Sequence, residues 1–250
     1  GQNRKFEASS PETTYNARAQ RRDSINSKTS RKFAMKTSME RLEKWLEINL
    51  PELHADLAPG CAEDVIAEFE VQVGKALPEC FKDLYRAHDG QRGAINTGPF
   101  YGLIFLPIAD ARSHWAAWKK IVEDTSPEDM KGASMFSKSA MAGAVKEIYA
   151  NEYWIPFAYD YGGNHLGVDL DPGPRGTFGQ VINFGRDEDE KFVVASSVAT
   201  FLEWLANQLE SGNSNIRRED DGGRSLSTKA PEKLHFLDSV KILFASQHGT

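Results

Sequence analysis

The sequence predicts an α+β fold that combines an antiparallel β-meander sheet with amphipathic helices. Three observations carry that prediction. Apolar residues recur at helical spacing from Thr37 to His88, and Trp154 to Ser196 reads as successive short strands, with clear alternation in Leu166, Val168 and Leu170. The connections inside that second stretch are too short for parallel crossovers.

Taken in order, residues 1–34 hold few large apolar side chains beyond Phe6, Tyr15, Ile25 and Phe33. Such a segment buries too little surface to offset its ordering entropy and is expected to be a disordered basic tail. No apolar stretch of secretory-signal length follows its basic residues. The other expected origin is sequence ahead of a native start at Met35 or Met39, and Gly1 in place of Met fits processing. Thr37-Ser38-Met39-Glu40 then has capping-box spacing, and Leu42, Trp45, Leu46 and Leu50 form one stripe that Pro51 limits. Val65, Ile66, Phe69 and Val73 repeat the stripe, with Gly74 placed as a left-handed stop. A third helix opens at Leu77-Pro78-Glu79, carries Phe81, Leu84, Tyr85 and His88, and ends at Asp89-Gly90.

Phe100 to Leu106 reads as a strand, and Ile108, Ala111, Trp115, Trp118 and Val122 share one helical face. Residues 124–140 read as a polar loop with a short helical turn, and Met141, Val145, Ile148 and Tyr149 as one more helix. Trp154 to Tyr159 is a strand, and Asp160-Tyr161-Gly162-Gly163 a tight turn. Leu166, Val168 and Leu170 form the next strand, and Gln180 to Phe184 pairs with Lys191 to Ala195 across an acidic turn. Ser196 or Ser197 caps a helix carrying Val198, Phe201, Leu202, Leu205 and Leu209. Residues 211–230 read as a Gly/Ser-rich linker, and the apolar piece Phe236, Leu237, Val240, Leu243 and Phe244 is expected to dock back on the domain. The chain thus divides into a basic tail (1–34), an α+β domain (35–211), and a linker with a C-terminal amphipathic helix (212–250).

Composition narrows the function classes. With 40% hydrophobic and 26% charged residues, the chain has the make-up of a soluble globular protein. No apolar run approaches the roughly 18 residues of a membrane span. Two cysteines, Cys61 and Cys80, are too few for a disulfide scaffold or zinc ribbon, and a reducing, cytoplasmic address is expected, with both as small buried thiols. The net charge of −6 averages two unlike parts: residues 1–34 hold eight basic and three acidic residues, leaving 22 basic and 33 acidic, or −11, in the rest. The basic tail is compatible with an arm for nucleic acid, but a disordered extension is the expected reading.

Two stretches together resemble a known family. Glu68 to Tyr85, with Gly74, Leu77-Pro78 and Phe81, ending in His88-Asp89-Gly90, resembles the E-x5-G-x2-LP signature of the SUKH superfamily. Trp154-Ile155-Pro156-Phe157-Ala158-Tyr159-Asp160-Tyr161-Gly162-Gly163-Asn164 is similar to its W-x-P-aromatic-A-x-D-x-G-G strand and turn. Val168-Asp169-Leu170-Asp171-Pro172 and Gly176 to Ile182 match its D-x-D-P and G-x-x-G-Q-V hairpin. The resemblance covers residues 38–211. It implies an α+β fold with the amphipathic helices packed on one face of the antiparallel β-meander sheet, and a non-enzymatic binding protein, either a bacterial immunity protein or a fungal cell-wall-assembly regulator acting as an interaction hub.

Against that background, Asp160, Asp169, Asp171 and His165 form the one cluster with catalytic or metal-binding potential, since carboxylates and an imidazole on adjacent strands suit acid/base work. Yet Asp169-x-Asp171 lacks the further ligands of a calcium loop. Asp160 and Asp171 open turns, where Asp satisfies backbone N–H groups. Turn chemistry is therefore the expected role, ahead of partner contact and of metal binding or catalysis. Gly162-Gly163-Asn164 has no Lys-Ser/Thr after it and is not a phosphate loop. No catalytic residue, metal site or cofactor is expected.

The leading expectation is an immunity protein that docks on a cognate toxin and blocks it. A body at −11 suits a basic partner such as a nuclease-type toxin domain. The expected contacts are Asp160, Gly163, Asn164, Asp169, Asp171 and Gln180 at the loops of the sheet. The alternative is a regulatory scaffold of the cell-wall type, and a hydrolase using His165 is the third reading. Neither membrane nor nucleic acid is expected as a partner of the folded body.

Overall fold

A computed structural model describes residues 35–220 and 222–245. The basic tail expected over residues 1–34 lies outside the described residues. Helix α1 covers residues 35–49. It already runs at residue 35, ahead of the expected cap at Thr37, because Met35 and Met39 extend the buried stripe of Leu42, Leu46 and Leu50. The chain breaks at Leu50 and restarts as α2 (Pro51–Asp56), with Pro51 at the first helical position, where its missing N–H costs nothing. α3 (Glu63–Val73) stops at Gly74, whose φ of +72° is the left-handed stop expected there. α4 (Glu79–Ala87) starts after Pro78 and buries Phe81, Leu84 and Tyr85.

Strand β1 is only Ile104–Phe105, because Tyr101 (φ +52°) and Gly102 (φ +92°) make a tight turn inside the longer strand expected there. α5 (Ile108–Asp124) follows, then α6 (Pro127–Ala133), capped by the Ser126 side chain, and β2 (Lys138–Ser139). β3 (Trp154–Tyr159), β4 (Asn164–Asp169), β5 (Gln180–Gly185), β6 (Glu190–Lys191) and β7 (Val193–Ala195) come next. The main sheet has the order β1-β3-β4-β5-β7, and every pairing in it is antiparallel. Ser197 and Thr200 form a reciprocal capping box at the start of α7 (Val198–Glu210).

The main core lies on one face of this sheet. Ile155, Phe157, Leu166, Val168, Val181 and Val194 pack there against α1–α4 and α7. α5 also reaches the second face, where Trp118 joins Ala144, Val145, Trp154, Ile182 and Phe184 in a smaller cluster.

Two further expected segments differ. Residues 141–149 form turns rather than a helix. Gly143 has φ +76°, and the carbonyls of Gly143 and Ala144 are taken by Arg175 and Gly173 of a distant loop instead of by a following helical turn. The expected linker is a hairpin, β8 (Asn215–Arg218) with β9 (Arg224–Ser227), in which Ile216 pairs with the buried Leu226. α8 (Phe236–Leu243) docks back, burying Phe236, Leu237 and Val240, with Phe236 5.2 Å from the Tyr101 ring.

Candidate functional site

The six expected contact residues fall into two groups at opposite ends of β4. At the β3–β4 turn, the Asp160 side chain is only 4% exposed. Its Oδ1 accepts from the N–H groups of Gly162 at 2.6 Å and Asn164 at 2.9 Å, and its Oδ2 accepts from Asn164 Nδ2 at 2.7 Å. Asn164 is itself buried, and its Oδ1 accepts from the backbone of Asp187 at 2.8 Å. Gly163 sits at φ +100°, a conformation other residues rarely adopt. This is an Asx-type turn made rigid by a second side chain.

The lock has a consequence for Tyr161. Its φ is +62°, and its side chain is 61% exposed. The left-handed region costs an L-residue about 1–2 kcal/mol. A bulky residue persists there only where surrounding bonds over-determine it. The ring meets Tyr159 edge-on at 5.6 Å. On the other side of the turn His235 Nε2 lies 3.5 Å from Asp160 Oδ2, which brings the segment before α8, with the exposed Leu234, beside the turn.

The other end of β4 is built for holding. Asp169 pairs with Gln180 across the strands. Asp169 Oδ1 accepts from the Asp171 N–H at 2.9 Å and Oδ2 from Gln180 Nε2 at 3.0 Å. Gln180 Nε2 also donates to Ala144 O at 2.9 Å, and its Oε1 accepts from Thr177 N at 2.9 Å. One buried amide thus ties together β4, the 173–179 loop and the irregular 141–150 segment. Burial pushes the Asp169 carboxyl up to about 6, against the pull of its two hydrogen bonds. For Asp171 burial acts in the same direction, but Lys146 at 2.6 Å and Asn151 at 3.1 Å outweigh it and hold the carboxyl below the usual range.

His165 lies on β4 between these ends and is 2% exposed. Its ring stacks on Tyr159 and Phe184, and its Nε2 meets Nδ1 of His114, from α5, at 2.8 Å. Burial, then the neighbouring His114, lowers its pKa to about 3, so it is neutral at physiological pH. Neither ring nitrogen has a carboxylate partner among the described residues. With Asp160 and Asp169 at opposite ends of the strand, the acid/base arrangement is not assembled. Among the described residues no group of three or more His, Cys, Asp and Glu is placed to hold a metal ion. Cys61 and Cys80 are free thiols, partly rather than fully buried.

Sequence reasoning missed His114, His235 and the exposure of Tyr161. His114 precedes Trp115 and lies four residues before Trp118, which put it on the edge of the apolar face of α5. His235 fell just beyond the supposed linker. The signal for Tyr161 was its position between a turn-opening Asp and two glycines.

A family model described as SMI1 / KNR4 family (SUKH-1) matches residues 60–204. The chain is 34% identical over 210 residues to the "Cell wall biosynthesis/cell cycle regulator smi1" of Schizosaccharomyces pombe, covering 82% of this chain and 42% of that protein. It is 34% identical over 204 residues to a "Glucan synthesis regulatory protein" of Neurospora crassa, covering 70% and 38% respectively. To the "Cell wall assembly regulator SMI1" of Saccharomyces cerevisiae it is 30% identical over 208 residues, covering 72% and 41%. The chain spans about two fifths of the length of these relatives. All three are named as regulators, of cell-wall biosynthesis, of glucan synthesis or of cell-wall assembly, so the expectation of an immunity protein against a cognate toxin, nuclease-type or otherwise, is overturned. Among the described residues no helix is long and apolar enough to cross a membrane. The helical motif around Gly74, the strand and turn motif around Asp160 within the antiparallel sheet, and the match over residues 60–204 agree: this chain belongs to the SMI1/KNR4 family of the SUKH superfamily.

Proposed function

We propose that this chain is the folded domain of a cell-wall regulator and works as a non-catalytic scaffold, docking protein partners at the face around the β3–β4 turn. The observation that carries the reading is Tyr161, a strained aromatic side chain held out in solvent by a buried Asp–Asn lock. Rigid, amphipathic aromatics of this kind are favoured anchors in protein interfaces. Asp160, Gly163 and Asn164 act by fixing the turn, while Asp169, Asp171 and Gln180 fix the opposite end of the sheet on which it stands. The names of the fungal relatives support a regulatory role over a catalytic one. A cytoplasmic address, in keeping with the two free thiols, belongs to the same proposal.

The test is a chimera. The matching segment of the Saccharomyces cerevisiae relative is replaced by this chain in a strain lacking the native gene, and growth is scored on a cell-wall-perturbing dye. Growth restored to the level of the parental protein is expected. A folded, expressed chimera that grows no better than the deletion strain would overturn the reading.

A further inference from the structure

His88 follows α4 where α1, the end of α2 and the loop before β1 meet. Its side chain is 19% exposed. Nδ1 lies 2.8 Å from the carbonyl oxygen of Ala58, and Nε2 lies 2.8 Å from Oε1 of Glu43 on α1. A carbonyl and a carboxylate oxygen can only accept, whereas a neutral imidazole has a single N–H. One of the two contacts therefore needs an additional proton, whichever side of the His88–Glu43 contact it resides on. Without it, lone pair faces lone pair in a largely buried site.

The surroundings supply little else. Met39 and Leu42 of α1, Leu57, Phe100 and Phe105 are the apolar walls beside the ring. Asp89, the next residue, turns its carboxylate to the N–H of Ile108 at 2.7 Å. Arg92 is the other charged group that bears on the ring, and it opposes the proton.

We propose that this proton clamps α1: bound, it ties Glu43 of α1 through His88 to Ala58; lost, it breaks that tie and loosens the middle of α1. α1 lies ahead of the family-matched residues and is the helix through which residues 1–34 join the domain. Two neighbouring ties do not titrate near neutrality: Arg41 of α1 bonds Glu210 and Asn207, and Arg224 bonds Asn49 O at the end of α1 and Glu52 of α2. The hydrogen bond to Glu43 holds the His88 pKa above the ordinary 6.5, against burial. A group whose folded pKa is raised contributes its stabilisation in full below its unfolded value and loses it as pH rises through the folded value. The clamp thus opens on the alkaline side of 6.5.

The experiment uses the full chain. The His88 ring is titrated by NMR, and hydrogen exchange of the α1 amides, corrected for intrinsic rates, is followed from acidic to alkaline pH in the wild type and in Glu43→Gln. In the variant the amide can donate to a neutral Nε2, so the extra proton is no longer needed. The wild-type ring should titrate above the ordinary histidine value, and α1 protection should fall about tenfold through that titration, as loss of one charge-assisted bond implies. In Glu43→Gln the protection should no longer depend on pH. A ring that titrates at or below the ordinary value, wild-type protection that stays flat, or an unchanged profile in the variant would overturn the proposal. Should the variant fail to fold, the wild-type titration and exchange decide it.

Discussion

The two ends of β4 use the same residue types to opposite ends. Asp160 and Asn164 at one end and Asp169 and Gln180 at the other are each a carboxylate bonded to a carboxamide and to backbone N–H groups. At the Asp160 end the bonds are local, within five residues and the facing turn, and their product is an exposed, strained Tyr161. At the Asp169 end the bonds reach across 36 residues to Ala144 and close the irregular cover of the second sheet face. One end displays a side chain and the other holds the fold. A buried polar pair is therefore no pointer to a binding site until its partners are known.

The difference predicts a graded series. Gln180→Ala should have the largest effect, a loss of about 3 kcal/mol in urea unfolding, because Ala144 O, Thr177 N and the buried Asp169 lose a shared, buried partner. A loss below about 1 kcal/mol would mean that the amide does not hold this end. Asp160→Ala should cost about 2 kcal/mol, since the N–H groups it leaves behind lie in a turn that water reaches more easily.

Titration separates two neighbouring carboxylates of the Asp169 end more gently. The Asp169 carboxyl should titrate near 6 and that of Asp171 below the usual carboxylate range, read by carbon NMR of the two side chains. The folded pKa of Asp169 is raised, so its contribution to stability is greatest below the unfolded value of 3.8 and declines as pH rises through about 6. Coincident titration of the two aspartates would contradict the contrast drawn between them.

Much of this was legible beforehand. The Asp160 turn, the meander, the Gly74 stop and the Ser197 cap rest on local chemistry that a few adjacent residues express. What escaped depends on contacts distant in the chain. The spacing of Met141, Val145 and Ile148 imitates a helix, but the 173–176 loop claims the carbonyls a helix would need. The β8–β9 hairpin hides in a polar stretch because Leu226 alone of its large apolar side chains is fully buried. The pairing of His114 with His165 spans 51 residues and exists only once α5 lies on the sheet. Function was harder still. The superfamily resemblance fitted immunity proteins and wall regulators alike, and only similarity to the fungal relatives separated them.

The central claim is that the Asp160 lock exists to present Tyr161, and Tyr161→Gly tests it most directly. Glycine relieves the left-handed backbone but gives up the contact with Tyr159 and adds freedom to the unfolded chain, so these contributions nearly cancel. In the yeast chimera the variant should stay within about 1 kcal/mol of wild-type stability and yet fail to restore growth on the dye. A Tyr161→Gly chimera that is equally stable and restores growth fully would contradict the claim.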